Sequence, residues 1–391
     1  MLTIADAIVV FGLIASCIIR PMVRTFPARA LGPWVAVGLA VVSGAACDTT
    51  TPRPSLATCA SAWTPITPMN DDLFALPRAM AWQDGVVYQA TLAGVVAMPT
   101  DGGQATTLAA NGPASGVWVE GDQVLYSTDD RLFEVPRAGG DVTTLLDGGQ
   151  HNDPSTEPGG NDHIGERQLL DSTAFTWTTR AYPYTTDGIH AWRLLREGGA
   201  VEGFALLPIA TVDGLAVTSE GVLAVGESTT LGGPYYRAFL APFARGAARE
   251  LSLTPMPDGI VAAEPDALLA SVYTGSRAGR NDTHEIWRLP VDGSASTLLS
   301  HNLPVEFLAT WSVPDQGGGH FLGGVELFDD GETHGSVFQV DHDGNAVRLA
   351  CDASDSWPLV TATAVAPDAL YASVRYDRPA WVLLKLSTPV R

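Results

Sequence analysis

Hydrophobic and polar positions alternate along residues 117–149, and clusters of Gly and Asp break the alternation. The alternating segments are Val117–Val119, Val124–Ser127, Leu132–Pro136 and Val142–Leu146. Successive side chains of a strand point to opposite faces, so this pattern predicts four short strands that each turn one side inward. Gly and Asp supply the backbone conformations that tight turns need. The stretch is therefore predicted to form a four-stranded antiparallel meander.

Two turns of this meander recur along the chain. The turn between its third and fourth strands has counterparts at Thr100–Gly103, Arg137–Gly140, Arg196–Gly199, Ala244–Gly246, Val291–Gly293 and Asp341–Gly344. The turn between its first and second strands has counterparts at Gln83–Gly85, Glu120–Asp122, Ser219–Gly221, Glu264–Asp266, Pro314–Gln316 and Pro367–Asp368. The period of roughly 40 to 50 residues is that of β-propeller blades.

The repeats predict an all-β fold, a β-propeller of four-stranded antiparallel blades. Seven blades fit best, and six or eight are the alternatives. The repeats are placed at about 80–116, 117–170, 171–214, 215–259, 260–307, 308–358 and 359–391. The repeat that begins near Asp171 lacks the first turn, and an insertion follows Gly149.

The last repeat is incomplete, because Leu383–Leu386 is predicted as its third strand and the sequence stops at Arg391. A ring left open in this way would expose a strand edge. The segment Ala57–Ile66 is therefore predicted to supply the missing outer strand and to close the ring.

Residues 1–47 are predicted to lie outside the fold. Their two apolar runs, Ile8–Ile19 and Leu31–Ala46, are each shorter than the roughly 20 residues of a spanning helix. The second run follows basic residues and ends in small residues before Cys47, as a secretory signal peptide does. Met22 is the expected true start. Residues 48–56 form a polar tether, and residues 57–391 form the propeller.

Small residues that lead directly into a cysteine resemble the lipobox of bacterial lipoproteins. The resemblance implies an acylated thiol at Cys47, which would anchor the exported chain to the periplasmic or cell-surface side of the cell envelope. Gly44 stands where that family usually has Leu. The alternative is an ordinary secreted protein cut at the same place.

Two cysteines remain in the propeller segment, Cys59 in the predicted closing strand and Cys351 at the end of a fourth strand. An exported domain with two leftover cysteines is expected to pair them. The alternative is two buried free thiols.

The charge balance restricts the partners. The chain has 43 acidic and 22 basic residues and a formal net charge of −21. This balance argues against nucleic-acid binding, which needs a basic surface, and against adhesion to anionic lipid by charge. We expect a monomer.

The long predicted loops all fall on one face of the ring. They are Thr178–Gly188, Gly226–Arg237, Thr274–Glu285, Leu327–Gly335, Arg375–Ala380 and the inter-blade insertion Gln150–Arg167. Long loops on one side of a rigid scaffold usually carry binding. The binding residues predicted on them are Arg180, Tyr182, Tyr184, Tyr235, Tyr236, Arg237, Tyr273, Arg277, Arg280, Arg375 and Tyr376. Tyr and Arg favour a protein or glycan partner, and the alternative is that these side chains only pair with neighbouring carboxylates.

Motifs of catalysis and metal binding are weak. His284 with Asp282, and His334 with Asp330 and Glu332, are short His/carboxylate groups without the spacing of a known site. No Gly-x-Ser-x-Gly elbow of a peptidase-type hydrolase occurs. No catalytic residue or cofactor is therefore assigned, and the predicted function is a cell-envelope binding or scaffold module.

The alternative function is an exported, calcium-dependent enzyme of the lactonase or esterase type with a site in the central channel. Asn281, Asp282 and Glu326 are the residues available for its calcium ion.

Overall fold

A computed structural model of the 391-residue chain shows a ring of β-sheets. The residues that it describes are 63–68, 70, 72–128, 131–147, 168–170, 173–180, 189–197, 199, 201–228, 236–244, 246–263, 267–273, 284–303, 307–314, 319–328, 333–341, 343, 345–351, 359–375 and 381–387. Within these ranges no helix has the length and apolar character needed to cross a membrane.

The first four blades each contain four consecutive strands. Blade 1 has β2 (Ala79–Gln83), β3 (Val86–Thr91), β4 (Gly94–Pro99) and β5 (Thr106–Ala109). Blade 2 has β6 (Gly116–Glu120), β7 (Gln123–Ser127), β8 (Arg131–Pro136) and β9 (Thr143–Asp147). Blade 3 has β10 (Gln168–Leu170), β11 (Ala174–Arg180), β12 (Ile189–Leu195) and β13 (Val201–Leu207). Blade 4 has β14 (Gly214–Val217), β15 (Gly221–Glu227), β16 (Tyr236–Pro242) and β17 (Arg249–Leu251).

The remaining blades complete the ring. Blade 5 has β18 (Gly259–Ala263), β19 (Ala267–Tyr273), β20 (His284–Pro290) and β21 (Thr297–Leu303). Blade 6 has β22 (Phe307–Pro314), β23 (His320–Leu327), β24 (Thr333–Val340) and β25 (Ala346–Cys351). Blade 7 has β26 (Leu359–Ala366), β27 (Ala369–Arg375), β28 (Trp381–Ser387) and, from the other end of the chain, β1 (Trp63–Pro65). A short 3-10 turn, Leu73–Ala75, lies between β1 and β2.

In each of blades 1 to 6 the strands are paired in sequence order and antiparallel. The first strands contact one another in order from β10 through β14, β18 and β22 to β26, and β2 contacts both β6 and β26. The first strands are therefore innermost, and blade 7 adjoins blade 1. This arrangement is a seven-bladed β-propeller, and the predicted fold class is confirmed.

The closing strand is confirmed as well. Trp63, Thr64 and Pro65 are opposite Leu386, Lys385 and Leu384, so β1 forms the outer strand of blade 7. The backbone N–H of Ile66 extends this pairing by donating to the carbonyl oxygen of Leu383 at 2.8 Å. The two ends of the propeller are thus held in one sheet.

One predicted boundary was wrong, because the third blade begins at Gln168 and not near Asp171. Its first strand, β10, has only three residues, which pair with Phe175–Trp177. Three residues are too few for an alternating pattern to become visible, and the connection to β11, Asp171-Ser172-Thr173, has no Gly beside its Asp.

Neighbouring blades are joined by apolar side chains and, on one face of the ring, by arginines. Arg137, which follows β8 in blade 2, donates to the Asp84 carboxylate at 2.9 Å and the Tyr88 hydroxyl at 2.8 Å in blade 1. Arg196, at the same position of blade 3, donates to Glu120 of blade 2 at 2.7 Å. The recurring third-to-fourth turn therefore also fastens one blade to the preceding one.

Candidate functional site

The two faces of the ring differ in the length of their connections. On one face, the first-to-second turns of blades 1 and 2 are tight, since Gln83 is opposite Val86 and Glu120 is opposite Gln123. Blade 6 has a longer connection on this face, because Pro314 is opposite His320. On the other face, longer connections join the second strand to the third strand in five blades. The strand residues that flank these connections are paired as Arg180 with Ile189, Glu227 with Tyr236, Tyr273 with His284, Leu327 with Thr333 and Arg375 with Trp381. We call this second face the loop-rich face. The interiors of these connections lie outside the described residues.

Three polar side chains of blade 5 meet at the loop-rich face, and we call them the Asp258 cluster: Asp258, Ser271 and His284. The Ser271 hydroxyl donates to Asp258 Oδ1 at 2.7 Å. His284 Nε2 lies 3.0 Å from Asp258 Oδ2. The cluster therefore links the residue before the innermost strand to the second and third strands of the blade.

The local sequence makes room for this cluster. Asp258 directly precedes β18, where its N–H donates to the carbonyl oxygen of Ser271 at 3.1 Å. Gly259 is opposite Ser271 in the sheet, and a Cβ built on Gly259 would lie 2.8 Å from the Ser271 hydroxyl oxygen. A glycine at this position is what allows the hydroxyl to reach the carboxylate.

The charge of Asp258 follows from its hydrogen bonds. Burial alone would raise the pKa of the Asp258 carboxyl, but the bonds from His284 and Ser271 lower this pKa below its usual value. An ionised carboxylate only accepts, so His284 donates to it through Nε2.

His284 is only 6% exposed, and within the described part of the chain its Nδ1 is buried without a hydrogen-bond partner. The ring of Tyr273 packs against the His284 ring with 5.5 Å between centroids, and Tyr273 itself is 47% exposed. The cluster thus has an aromatic side chain at the surface and an imidazole behind it.

A second buried polar group lies in blade 6, around Glu326. The Glu326 side chain has no exposed surface and accepts from the Ser336 hydroxyl at 2.7 Å and from Arg348 Nε at 3.1 Å. Burial raises the pKa of Glu326, although Ser336 and Arg348 oppose this effect. His334 is opposite Glu326 in the sheet and is also buried.

Both groups lie between blades 5 and 6. Side chains alternate along a strand, so Ser271 shares a face with Leu269, and Glu326 shares a face with Leu322. Leu269 and Leu322 belong to one apolar cluster that joins the two blades, together with Ile286, Leu303, Phe338 and Val340. The polar residues occupy the loop-rich side of that interface, and the apolar residues occupy the rest.

The predicted binding residues have different surroundings. Tyr273 and Arg375 are exposed on the loop-rich face, and Tyr236 is half-buried. Arg237 donates through Nε to Glu250 at 2.8 Å and lies over the Phe239 ring. Arg180 ends β11 beside one of the longer connections.

The other predicted site residues lie outside the described residues. They are Cys47, Cys59, Tyr182, Tyr184, Tyr235, Arg277, Arg280, Asp282, Asp330, Glu332 and Tyr376. Cys351 is fully buried on the outer strand of blade 6, next to the blade that contains β1. Its pairing with Cys59 stays a prediction.

The metal candidates His284 and His334 are both buried, at the interface just described. Among the described residues, no three His, Cys, Asp or Glu side chains are grouped so that they could hold a metal ion. Glu326 was one of the residues named as available for a calcium ion. Its carboxylate accepts hydrogen bonds from Arg348 and Ser336.

Sequence reasoning missed Asp258 and Ser271. A signal was present, because the pair Asp-Gly occurs at the start of the first strand in blade 4, at Asp213-Gly214, and in blade 5, at Asp258-Gly259. The Asp-Gly pair does not predict the hydrogen bond between Asp258 and His284, since 26 residues separate these two in the sequence.

No protein-family profile matches the chain. No curated protein matches it either. Among solved structures, an oligogalacturonate lyase from Vibrio parahaemolyticus is similar over 84% of this chain and 93% of its own, at 10% identity and a TM-score of 0.56. A gluconolactonase from Xanthomonas campestris matches 83% of this chain and 89% of its own, at 14% identity and a TM-score of 0.42. The N-terminal domain of Nup159 matches 82% and 93%, at 12% identity and a TM-score of 0.44. At these identities the likeness concerns the fold alone, and the chain is a β-propeller.

Proposed function

We propose that the chain is a binding module, held at the cell envelope by a lipid on Cys47, that uses the loop-rich face to hold a protein or a glycan. The observation that carries this proposal is the asymmetry of the ring. Except in blade 6, where Pro314 is opposite His320, its first-to-second turns are short, while the strand ends on the other face of blades 3 and 5 flank longer connections. Connections of that kind on a rigid scaffold are where proteins usually place recognition.

The scaffold supports this use because it is closed. β1 and β28 belong to one sheet, and β2 contacts β26, so no blade lacks a neighbour. Binding of a partner across several blades then costs little free energy for ordering the surface beneath it. Among the described residues of this face, Tyr273 and Arg375 are exposed and offer a ring and a forked donor.

The test is capture from a solubilised envelope extract with the full chain as bait. A Tyr273→Ala, Arg375→Ala double variant should retain less of the captured partner. Glu197→Ala, an exposed change in a turn on the opposite face, is the matched control and should retain all of it. Equal capture by all three proteins would show that the loop-rich face is not used.

The anchor has its own test. Radiolabelled palmitate should label the full chain in bacteria, and Cys47→Ser should abolish the labelling and release the protein from the membrane fraction. A wild-type chain that takes up no label would remove the lipid anchor and leave a secreted binding module.

One observation favours the enzyme alternative. Asp213 and Asp258 directly precede the innermost strands of adjacent blades, so two acidic residues occupy corresponding positions in the chain. If they serve a calcium site, calcium should raise the melting temperature of the full chain and a chelator should lower it. Asp213→Asn should abolish that shift, and equal melting temperatures would exclude the calcium enzyme.

A further inference from the structure

We propose that an open cavity between blades 4 and 5, on the face opposite the loop-rich face, is a docking site for an arginine side chain of a basic peptide or protein. The cavity has a volume of about 390 Å³. It is lined by residues 218–220, in the first-to-second turn of blade 4, and by residues that follow the third strand of blade 5, Val291 and Asp292 among them. The inference goes beyond the proposed function, because it adds a second recognition site on the other side of the ring.

The first step of the argument is what occupies the same place between other blades. Between blades 1 and 2, Arg137 reaches across to the Asp84 carboxylate at 2.9 Å, and between blades 2 and 3, Arg196 reaches across to Glu120 at 2.7 Å. Each arginine directly follows the third strand of its own blade, and each carboxylate lies in or beside the first-to-second turn of the preceding blade. The fold therefore binds a guanidinium group of its own at this place twice.

The second step is that the junction between blades 4 and 5 has the carboxylate but has a valine in place of the arginine. Val291 directly follows the third strand of blade 5, as Arg137 follows that of blade 2. Val291 and Leu289 pack with apolar residues of blade 4, just as Val135, two residues before Arg137, packs with those of blade 1. Glu220 lies in the first-to-second turn of blade 4. Because a valine is too short to reach that turn, the space that a guanidinium group would fill is left as the cavity.

The third step is the charge of the lining. Glu220 and Asp292 supply two exposed carboxylates, and Arg288 is the one basic side chain among the described lining residues. The N–H of Ser294 donates to Asp292 Oδ1 at 2.8 Å and lowers the pKa of Asp292, so this carboxyl is ionised at neutral pH. The lining is therefore negative on balance, in a chain of net charge −21. A guanidinium group, which donates to carboxylates in a planar fork, matches these acceptors.

The Glu220 carboxylate can accept such a ligand although it already has a partner. Arg249 of the same blade donates to Glu220 Oε2 at 3.3 Å, but the two side chains are 55% and 64% exposed. An ion pair this exposed is weak, so an incoming arginine can share the carboxylate or displace Arg249. The aliphatic part of that arginine would lie against Val291, as long charged side chains do on apolar surfaces. Exposed hydroxyls that also line the cavity can bond the main chain beside it; they belong to Ser219, Ser294 and Thr297.

The test titrates the full chain at low salt with a blocked tripeptide, acetyl-Gly-Arg-Gly-amide, and with the same peptide carrying citrulline or lysine. Citrulline keeps the shape of arginine without its charge and should bind at least tenfold more weakly. Lysine lacks the planar fork and should bind at least threefold more weakly.

A matched pair of variants locates the site. Asp292→Asn should raise the dissociation constant of the arginine peptide at least threefold. Asp101→Asn is the control, because Asp101 has the corresponding turn position in blade 1 and likewise accepts an N–H two residues on, from Gly103 at 3.0 Å. This variant removes the same charge on the same face and should bind like the wild type.

Val291→Arg places an arginine of the chain itself where Arg137 lies in blade 2, and it should abolish binding of the peptide, whereas Val291→Ile should retain it. If Val291→Arg fails to fold, the exposed Arg288 still decides the question. Arg288→Gln should tighten binding of a cation at least threefold, and weaker binding would show that the cavity takes an anion. The proposal is overturned by that result, by equal binding of the arginine and citrulline peptides, or by equal effects of Asp292→Asn and Asp101→Asn, which would indicate attraction to the acidic chain as a whole. Capture through the loop-rich face is measured separately, so the proposed function stands or falls independently.

Discussion

The ion pair between Glu326 and Arg348 allows a sharp test of how blade 6 is held together. Glu326 has no exposed surface, and the Arg348 side chain is 25% exposed. Arg348→Met keeps an apolar stem near the rings of Phe328 and Phe338 but removes the charge that Glu326 faces. Leaving one member of a buried pair without its partner costs about 3–5 kcal/mol, so we expect a loss of that size at neutral pH.

The loss should depend on pH, and its sign follows from the pKa of Glu326. Burial already raises this pKa, and Arg348 is one of the groups that oppose the rise. Without Arg348 the native state binds a proton more tightly than the unfolded chain does. The variant therefore regains stability relative to the wild type as the pH falls through the raised pKa toward about 4.3, the usual value for Glu.

Equilibrium urea unfolding at pH 7.5 and pH 5 measures both effects. The control is Arg131→Met, because Arg131 is half exposed and pairs with Asp147 at 3.4 Å, and such surface pairs contribute about 0–1 kcal/mol. A double variant, Glu326→Gln with Arg348→Met, should recover most of the lost stability. Equal losses for the two single arginine variants, or a loss that does not change with pH, would refute the reasoning.

Three further outcomes are expected. Gly259→Ala should destabilise the protein by about 1–3 kcal/mol, since its Cβ would lie 2.8 Å from the Ser271 hydroxyl, and Ser271→Ala in the same chain should relieve most of the loss; an additive double variant would contradict this. Asp258 has a lowered pKa, so its contribution is present above about pH 3.9 and is lost as the pH falls through its folded value; the stability difference between wild type and Asp258→Asn, from urea unfolding, should shrink below that pH, and a constant difference would be the contrary result. Cys59 and Cys351 should give no thiol reaction in the denatured, unreduced protein, and reduction should lower its stability by about a few kcal/mol; two reactive thiols would exclude the bridge.

The architecture was predictable because it repeats. The strands of blade 2 begin and end within about one residue of the alternating segments, which is the usual uncertainty of strand ends. Gly and Asp mark the turns because tight turns need their backbone conformations, and one turn type recurs in successive blades. β10 was not predicted, because a strand of three residues is too short to show an alternating pattern of hydrophobic and polar positions.

The candidate site was less predictable because its contacts join residues that are distant in sequence. The length of the connections and the residue types on them indicated the loop-rich face, with Tyr273 on it. That His284 bonds Asp258, and that Arg237 is already paired with Glu250, depends on which side chains the sheet register brings together. The register of strand pairing cannot be read directly from a single sequence.

The closing strand has a consequence for the order of events on the ribosome. The hydroxyl of Thr67 accepts a hydrogen bond from the N–H of Leu383, and 316 residues separate the two. β1 is therefore among the first segments of the propeller to be synthesised, yet its partner strand β28 is the last. Until translation reaches β28, the nascent chain keeps an unpaired strand at one end and a growing sheet edge at the other, which are the features that chaperones bind and that cause misassembly.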